Sequence, residues 1–291
     1  MLDPLALHAR LGGALHRLAA ESWALHVAAW RPSTPERFER EWTAHPADRR
    51  EVVVFNRRCF ENRYSQQFGD TAYAYAGQTA AATPVPDASA CAAFLPECDA
   101  ALGGAGLNTC LQNWYPRPRR NLSSRRNRVS TVAASSEYPR RGRGAAATIH
   151  VVAAAPPRPA SAEGLHGRAR RYEPEHWLGD HRDAERQLVP GAPIASVSWG
   201  AARRFALKPK PVKSAGAAAA DSVALELYLR DGDLLLMGGA TQLTHVHGVP
   251  KRRKKDEGAP GRRISWTFRA FRPEGEPKAA RKRKRVEPLE S

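Results

Sequence analysis

Four cysteines (Cys59, Cys91, Cys98 and Cys110) in 291 residues are too few and too scattered for a disulfide scaffold or a zinc module. No apolar run approaches the ~20 residues that a membrane-spanning helix needs, so no integral membrane protein is expected. The N-terminal stretch MLDPLALHARLGG lacks a basic segment followed by a clean apolar one and does not read as a secretory signal. A reducing, intracellular compartment is the expectation. Acid is also scarce: 29 Asp+Glu stand against 46 Lys+Arg, a formal net charge of +17. That balance points to an acidic partner, nucleic acid before an anionic membrane surface. With 42% hydrophobic residues the chain still has material for a core, which excludes a protein disordered throughout.

The charge is unevenly placed. Residues 116–171 hold thirteen arginines, no lysine and two acids, a net +11. Residues 251–291 hold fifteen basic and six acidic residues, a net +9, and everything else comes to −3. The 116–171 stretch is made of Arg, Ala, Pro, Gly and Ser, with few large apolar residues outside Ile149–Val152. Such a composition cannot offset the entropy of ordering it, so it reads as a disordered insertion in a compact domain. Three readings compete: an idle loop, a basic arm that touches phosphate, or non-native sequence from a misread gene. Residues 273–291 read as a basic disordered tail, and the cluster at 278–286 is of nuclear-import type, which places the protein in the nucleus and also in the cytoplasm.

Apolar positions at Leu7, Leu11, Leu15, Leu18 and Leu25 predict an amphipathic helix over 5–30. Pro32–Pro35 ends it and begins a second short helix through Trp42, with Thr34 as its N-cap. Residues 1–49 therefore read as a helical extension. From Val52 onward the runs are short and strand-like (VVVF, AYAYAG, NTCLQNWY, PIASVSWG, VALELYL, DLLLMGG, RRISWTFRAF), with turns such as Arg230-Asp231-Gly232-Asp233 between them. The expected class is α+β: a β-sandwich or jelly roll with helices packed outside.

Two features carry chemistry. His181-Arg182-Asp183 places two metal-competent side chains at i, i+2, one face of an extended segment. His245 and His247 downstream offer a third ligand, and two histidines with one carboxylate form the facial triad of non-heme iron oxygenases. In Arg263–Arg269, alternation puts Ile264, Trp266 and Phe268 on one face and Arg263, Ser265, Thr267 and Arg269 on the other. Two inward arginines are expensive unless paired, and a dicarboxylate would pair them.

NTCLQNWY, LGDHRDAERQLVPGAPIASVSWGAARRF, GDLLLMGGATQLTHVHGVPK and RRISWTFRAF, in that order, resemble the signatures of the AlkB-like 2-oxoglutarate/Fe(II) dioxygenases. HRDAERQLVPGAPIASVSWGA is similar to the DNA-repair branch of that family. Apart from the insertion, the resemblance covers residues 50–272, and the fold it implies is a double-stranded β-helix. It implies His181, Asp183 and His247 as iron ligands. The family's usual Trp is replaced by His245, which leaves the third ligand open between the two histidines. It further implies that Arg263 pairs with the distal carboxylate of 2-oxoglutarate, that Arg269 lies near the proximal one, and that Asn113, Tyr115 and Ser265 contact the co-substrate. Glu185 is implied to face the target base, and Phe68, Tyr73 and Tyr75 to form a lid on which that base stacks, the alternative for these three being plain core aromatics. The implied cofactors are Fe(II), 2-oxoglutarate and O₂. The implied reaction is oxidative dealkylation of N-alkylated bases in alkylated DNA or RNA, releasing succinate, CO₂ and formaldehyde, by a monomer with no membrane partner. Two other readings stay open: an oxygenase acting on a non-nucleic-acid substrate, and a basic nucleic-acid-binding protein without catalysis. The insertion departs from the family pattern. Excising 116–172 would join LQNWY to EPEHWLGDHRDAE at family-like spacing, which favours the misread gene.

Overall fold

The computed structural model describes residues 2–54, 57–71, 73–75, 78–116, 177–183, 185, 187–210, 221–253, 256 and 261–272. The expected insertion beyond Pro116 and the 273–291 tail, with its 278–286 cluster, lie outside the described residues.

The first helix, α1 (Pro4–Leu11), starts where Asp3 accepts the Leu5 N–H at 2.9 Å and Pro4 presets the first turn. It stops after eight residues, because Gly12 and Gly13 both take positive φ (69° and 86°). The chain then forms a hairpin, β1 (Ala14–Ala19) and β2 (Ser22–Val27). The single helix expected over 5–30 is thus corrected to a helix and two strands. Leucine spacing suggested a helical face, but β2 sends Trp23, Leu25 and Val27 to one apolar layer and Ala24 to the other, a strand period. The second helix does form as α2 (Pro35–Thr43), and Thr34 Oγ1 accepts the Arg37 N–H.

Further along come β3 (Glu51–Val54), β4 (Arg57–Phe60), β5 (Tyr64–Gly69), β6 (Tyr73–Tyr75), β7 (Gln78–Ala80), α3 (Ala90–Ala101) and β8 (Thr109–Tyr115). The second half holds β9 (Leu178–His181), β10 (Ile194–Gly200), β11 (Arg203–Pro209), β12 (Leu225–Leu229), β13 (Leu234–Gly239), a short α4 (Thr241–Thr244), β14 (His245–Val249) and β15 (Arg263–Arg269). Seven strands form one antiparallel sheet in the order β1-β2-β13-β10-β15-β8-β5, and four form a second, β12-β11-β14-β9. The two sheets face each other: Ile194, Leu235 and Met237 of the larger pack against Phe205, Leu207, Leu229 and Val249 of the smaller. This is the jelly-roll, double-stranded β-helix arrangement.

The outer face of the large sheet carries a second apolar layer beneath the helices. Leu7 of α1 and Phe94 of α3 pack there with Trp114, Trp199, Trp266 and Phe268. Trp199 and Trp266 meet edge to face with centroids 5.0 Å apart. Glu41 ties α2 to this face: its carboxylate accepts the Ala90 N–H at 2.6 Å and its carbonyl accepts the Trp114 indole N–H at 2.7 Å. The β12–β13 turn is held by Asp233, whose carboxylate accepts the Ala29 and Arg230 N–H groups and bonds His26 Nε2 at 2.8 Å. Gly232 in that turn has φ 82°, and a Cβ there would lie 2.7 Å from Pro32. Each long strand of the large sheet thus has one face towards helices and one towards the gap between sheets. The gap holds the site.

Candidate metal centre and co-substrate pocket

His181 ends β9, Asp183 follows two residues later, and His247 lies on β14 directly across from His181 in the strand register. Cross-strand pairing brings the imidazoles to a centroid separation of 4.4 Å. One ligand atom from each of the three residues lies within 4.8 Å of the others. His181 Nδ1 donates to the Gly179 carbonyl at 2.9 Å, which leaves Nε2 as the lone-pair nitrogen facing the cluster. The Asp183 backbone N–H donates to Gln242 Oε1 at 3.0 Å, fixing the turn after β9. Asp183 Oδ1 accepts from Arg269 Nη2 at 2.6 Å, while Oδ2 is buried without a hydrogen-bond partner, 3.6 Å from His247 Nε2.

The electrostatics suit a divalent cation. Burial alone would push the Asp183 carboxyl up, but Arg269, His247 and His181 outweigh it and hold it at about 2. Burial, with His181 adding to it, pushes His247 down to about 3, and burial likewise lowers His181. At neutral pH the cluster is two neutral imidazoles and one carboxylate with an unused oxygen. That donor set fits Fe(II), which His181, Asp183 and His247 would hold.

His245, the rival third ligand, points elsewhere. Its Nε2 donates to the Val223 carbonyl at 3.0 Å, and Nδ1 shares a hydrogen bond with Thr244 Oγ1 at 2.8 Å. We expect His245→Gln to keep its iron stoichiometry in anaerobic Fe(II) titration and to lose thermal stability. Loss of iron in that variant would move the third ligand to His245.

Beside the triad, the gap between sheets forms a narrow cleft of about 40 Å³. The register of β8 against β15 pairs Tyr115 with Arg263 and Asn113 with Ser265, and all four line this cleft together with Arg269. Arg263 is 2% exposed; its Nη2 donates to Ser198 Oγ at 2.9 Å, while Nε and Nη1 are buried without hydrogen-bond partners. Its guanidinium lies 5.2 Å from the Tyr115 ring centroid. Burial pushes the Arg263 pKa down and Tyr115 acts against that shift. A buried cation with two idle donors is costly, and a ligand carboxylate would satisfy it. 2-Oxoglutarate, with one carboxylate for Arg263 and another near the metal, fits the residues present.

Not every expected residue is here. Phe68 is corrected: β5 pairs Phe68 with Cys110, so alternation sends it, with Gln112 and Trp114, to the outer apolar layer and away from the cleft. Tyr73 and Tyr75 lie on β6, and their side chains fall outside the described residues. Glu185 is half-buried two residues past Asp183, its carbonyl accepting the Leu188 N–H. Sequence reasoning missed Arg63, which lines the cleft, and Phe205, whose ring stacks on His247 with centroids 5.6 Å apart. The alternation Arg63, Ser65, Gln67 opposite Tyr64, Gln66 and Phe68 held the signal for Arg63. One arginine among many nearby concealed it.

Residues 168–269, which carry the triad and the buried arginine, match the model of the 2OG-Fe(II) oxygenase superfamily. The curated proteins that the chain resembles are AlkB-like. The chain is 44% identical over 93 residues to the DNA oxidative demethylase ALKBH2 of Homo sapiens, covering 32% of this chain and 33% of that protein. It is 40% identical over 96 residues to the Mus musculus counterpart, covering 33% and 38%. It is 36% identical over 94 residues to the alpha-ketoglutarate-dependent dioxygenase alkB homolog 3 of Rattus norvegicus, covering 32% and 30%. The matches thus span about a third of these curated relatives. A solved structure, "The structure of OsALKBH1", superposes with a TM-score of 0.44 at 13% identity, over 89% of this chain and 100% of that one. The cofactors of the family are Fe(II), 2-oxoglutarate and O₂.

Proposed function

We propose that this protein removes alkyl groups oxidatively from N-alkylated bases of DNA or RNA. The observation that carries the reading is the pairing, on one buried cleft, of the His181–Asp183–His247 cluster with the two unsatisfied guanidinium nitrogens of Arg263. When bound, iron and 2-oxoglutarate would supply the hydroxylation of an N-alkyl carbon with O₂ as the oxidant, one oxygen atom going to the alkyl carbon and the other to the succinate formed with CO₂, and the hydroxylated N-methyl group leaving as formaldehyde. The remaining work belongs to side chains. His181 and His247 offer neutral nitrogens because burial keeps them unprotonated, and Arg269 keeps Asp183 ionised. Arg263 neutralises the far carboxylate, with Asn113 and Tyr115 beside it on β8. Leu111, Phe205 and Met237 wall the cleft with apolar surface that limits water.

Two observations support a nucleic-acid substrate. The similar curated proteins ALKBH2 are named DNA oxidative demethylases. Lys251, exposed just past Pro250 and the strand that bears His247, with its Nζ 5.2 Å from the Trp177 ring centroid, offers a cation for phosphate, while Arg253 beside it is paired with Asp256 and Glu226. An alkyl group on a Watson–Crick edge is hidden in a duplex, so the base has to be single-stranded or flipped out to reach the iron. The test is formaldehyde release from N-methylated oligonucleotides, single- and double-stranded, DNA and RNA, each with and without Fe(II) and 2-oxoglutarate. Release that needs both additions is the expected result. Succinate formed at the same rate whatever nucleic acid is supplied would sink the proposal and favour a different substrate class.

A further inference from the structure

Arg63 is the third arginine lining the cleft, and it stands between two other polar groups. It precedes β5, is 6% exposed, and lies on the same face as Ser65, which pairs with Asn113 in the β5–β8 register. Its Nε donates to Asn113 Oδ1 at 2.7 Å and its Nη2 to Glu61 Oε1 at 3.1 Å. Glu61, also 6% exposed, is held in turn: Ser65 Oγ donates to its Oε2 at 2.6 Å, and its backbone N–H donates to the Arg50 carbonyl at 2.9 Å.

A guanidinium N–H can only donate, so the Asn113 atom it meets must be the amide oxygen. The opposite flip would set donor against donor in a buried site, at a cost comparable to a lost hydrogen bond. With Oδ1 taken by Arg63, the end of the amide left for a ligand is Nδ2, a donor, and Asn113 lines the cleft. A donor is what a carboxylate requires. We propose that Arg63, braced by Glu61, is a positioning residue that locks Asn113 in the orientation that donates to the co-substrate. The proposal rests on the cleft being the 2-oxoglutarate site. It assigns the 61–65 segment, which carries no iron ligand, a share in co-substrate affinity.

Affinity is read without turnover, by anaerobic titration of the Fe(II)-loaded full chain with 2-oxoglutarate, following the visible absorption of the metal–co-substrate complex. Thermal unfolding of each variant runs in parallel. Arg63→Gln is expected to raise the 2-oxoglutarate Kd about tenfold, and Asn113→Ala by a similar factor. Since Arg63 acts through Asn113, the double variant should bind within twofold of Asn113→Ala alone. If Arg63→Gln fails to fold, Glu61→Gln, which keeps shape and drops charge, should weaken binding several-fold. Additive losses in the double variant, or a lowered melting temperature with unchanged Kd, would overturn the assignment by making Arg63 an independent ligand contact or a purely structural ion pair. A wild-type chain that binds iron but shows no response to 2-oxoglutarate refutes the reading of the cleft itself.

Discussion

Replacing His247 with alanine should abolish iron loading and bring formaldehyde release below detection. The side chain supplies one of the three donors found together among the described residues, on a strand whose register with His181 fixes the distance between them. No described neighbour stands ready to substitute: His245, two residues away, is turned to Val223 and Thr244. The measurement is iron stoichiometry after anaerobic loading, alongside formaldehyde yield. Retention of a full equivalent of iron would remove His247 from the ligand set. The same variant also tests the electrostatics. His247 titrates near 3 in the folded protein against 6.5 for the free side chain. The unfolded chain therefore takes up its proton first, so without metal His247 contributes stability above pH 6.5 that is lost as pH falls from 6.5 towards 3. Asp183, held at about 2 against 3.8, adds to the loss in the more acid part of that range. Urea unfolding of the iron-free protein across pH 3–7 should show a shallower acid slope for His247→Ala than for wild type.

The second large effect concerns Arg263, and here function and stability are expected to move in opposite directions. In the ligand-free protein the Arg263 cation is buried, with one hydrogen bond to Ser198 and two idle nitrogens. Arg263→Gln removes a desolvated charge, so the melting temperature of the ligand-free protein should stay level or rise. Co-substrate binding should suffer severely, because a ligand carboxylate loses the buried guanidinium that would pair with it. Losing one partner of a buried charge pair costs ~3 kcal/mol, roughly 10²-fold in Kd. A variant that melts lower yet binds 2-oxoglutarate normally would mean that Arg263 is a structural cation and that the far carboxylate sits elsewhere.

Much of the site was legible because its chemistry follows strand alternation. Arg263, Ser265, Thr267 and Arg269 could be placed on one face of β15 from period two alone, and the structure puts them on the cleft side with Ile264, Trp266 and Phe268 behind. Iron ligands at i, i+2 on a strand end obey the same rule. Phe68 failed by that rule too: its placement came from likeness to a lid motif, whereas its pairing with Cys110 decides which face it takes. The N-terminal error had another source. Leucines at Leu7, Leu11, Leu15 and Leu18 satisfy a helical stripe, and only Gly12-Gly13, with φ values that other residues avoid, breaks the helix. Arg63 could not be singled out from composition. Its role depends on Asn113, fifty residues away in sequence.

Strands β8 and β15 each divide their side chains between an apolar layer and the cleft, and one reading frame serves both faces. Adding or deleting a single residue within either strand would turn Asn113, Tyr115 or the two arginines into the tryptophan layer, and the tryptophans into the cleft. Such a lesion would remove the site and the core together, so neither could drift while the other was kept. Length is free to change only where a strand has ended. The long connection in this sequence falls at such a place, between Tyr115 at the end of β8 and Leu178 at the start of β9. For anyone grafting a tag, a sensor or a second domain into this protein, β8 and β15 are where a single codon counts.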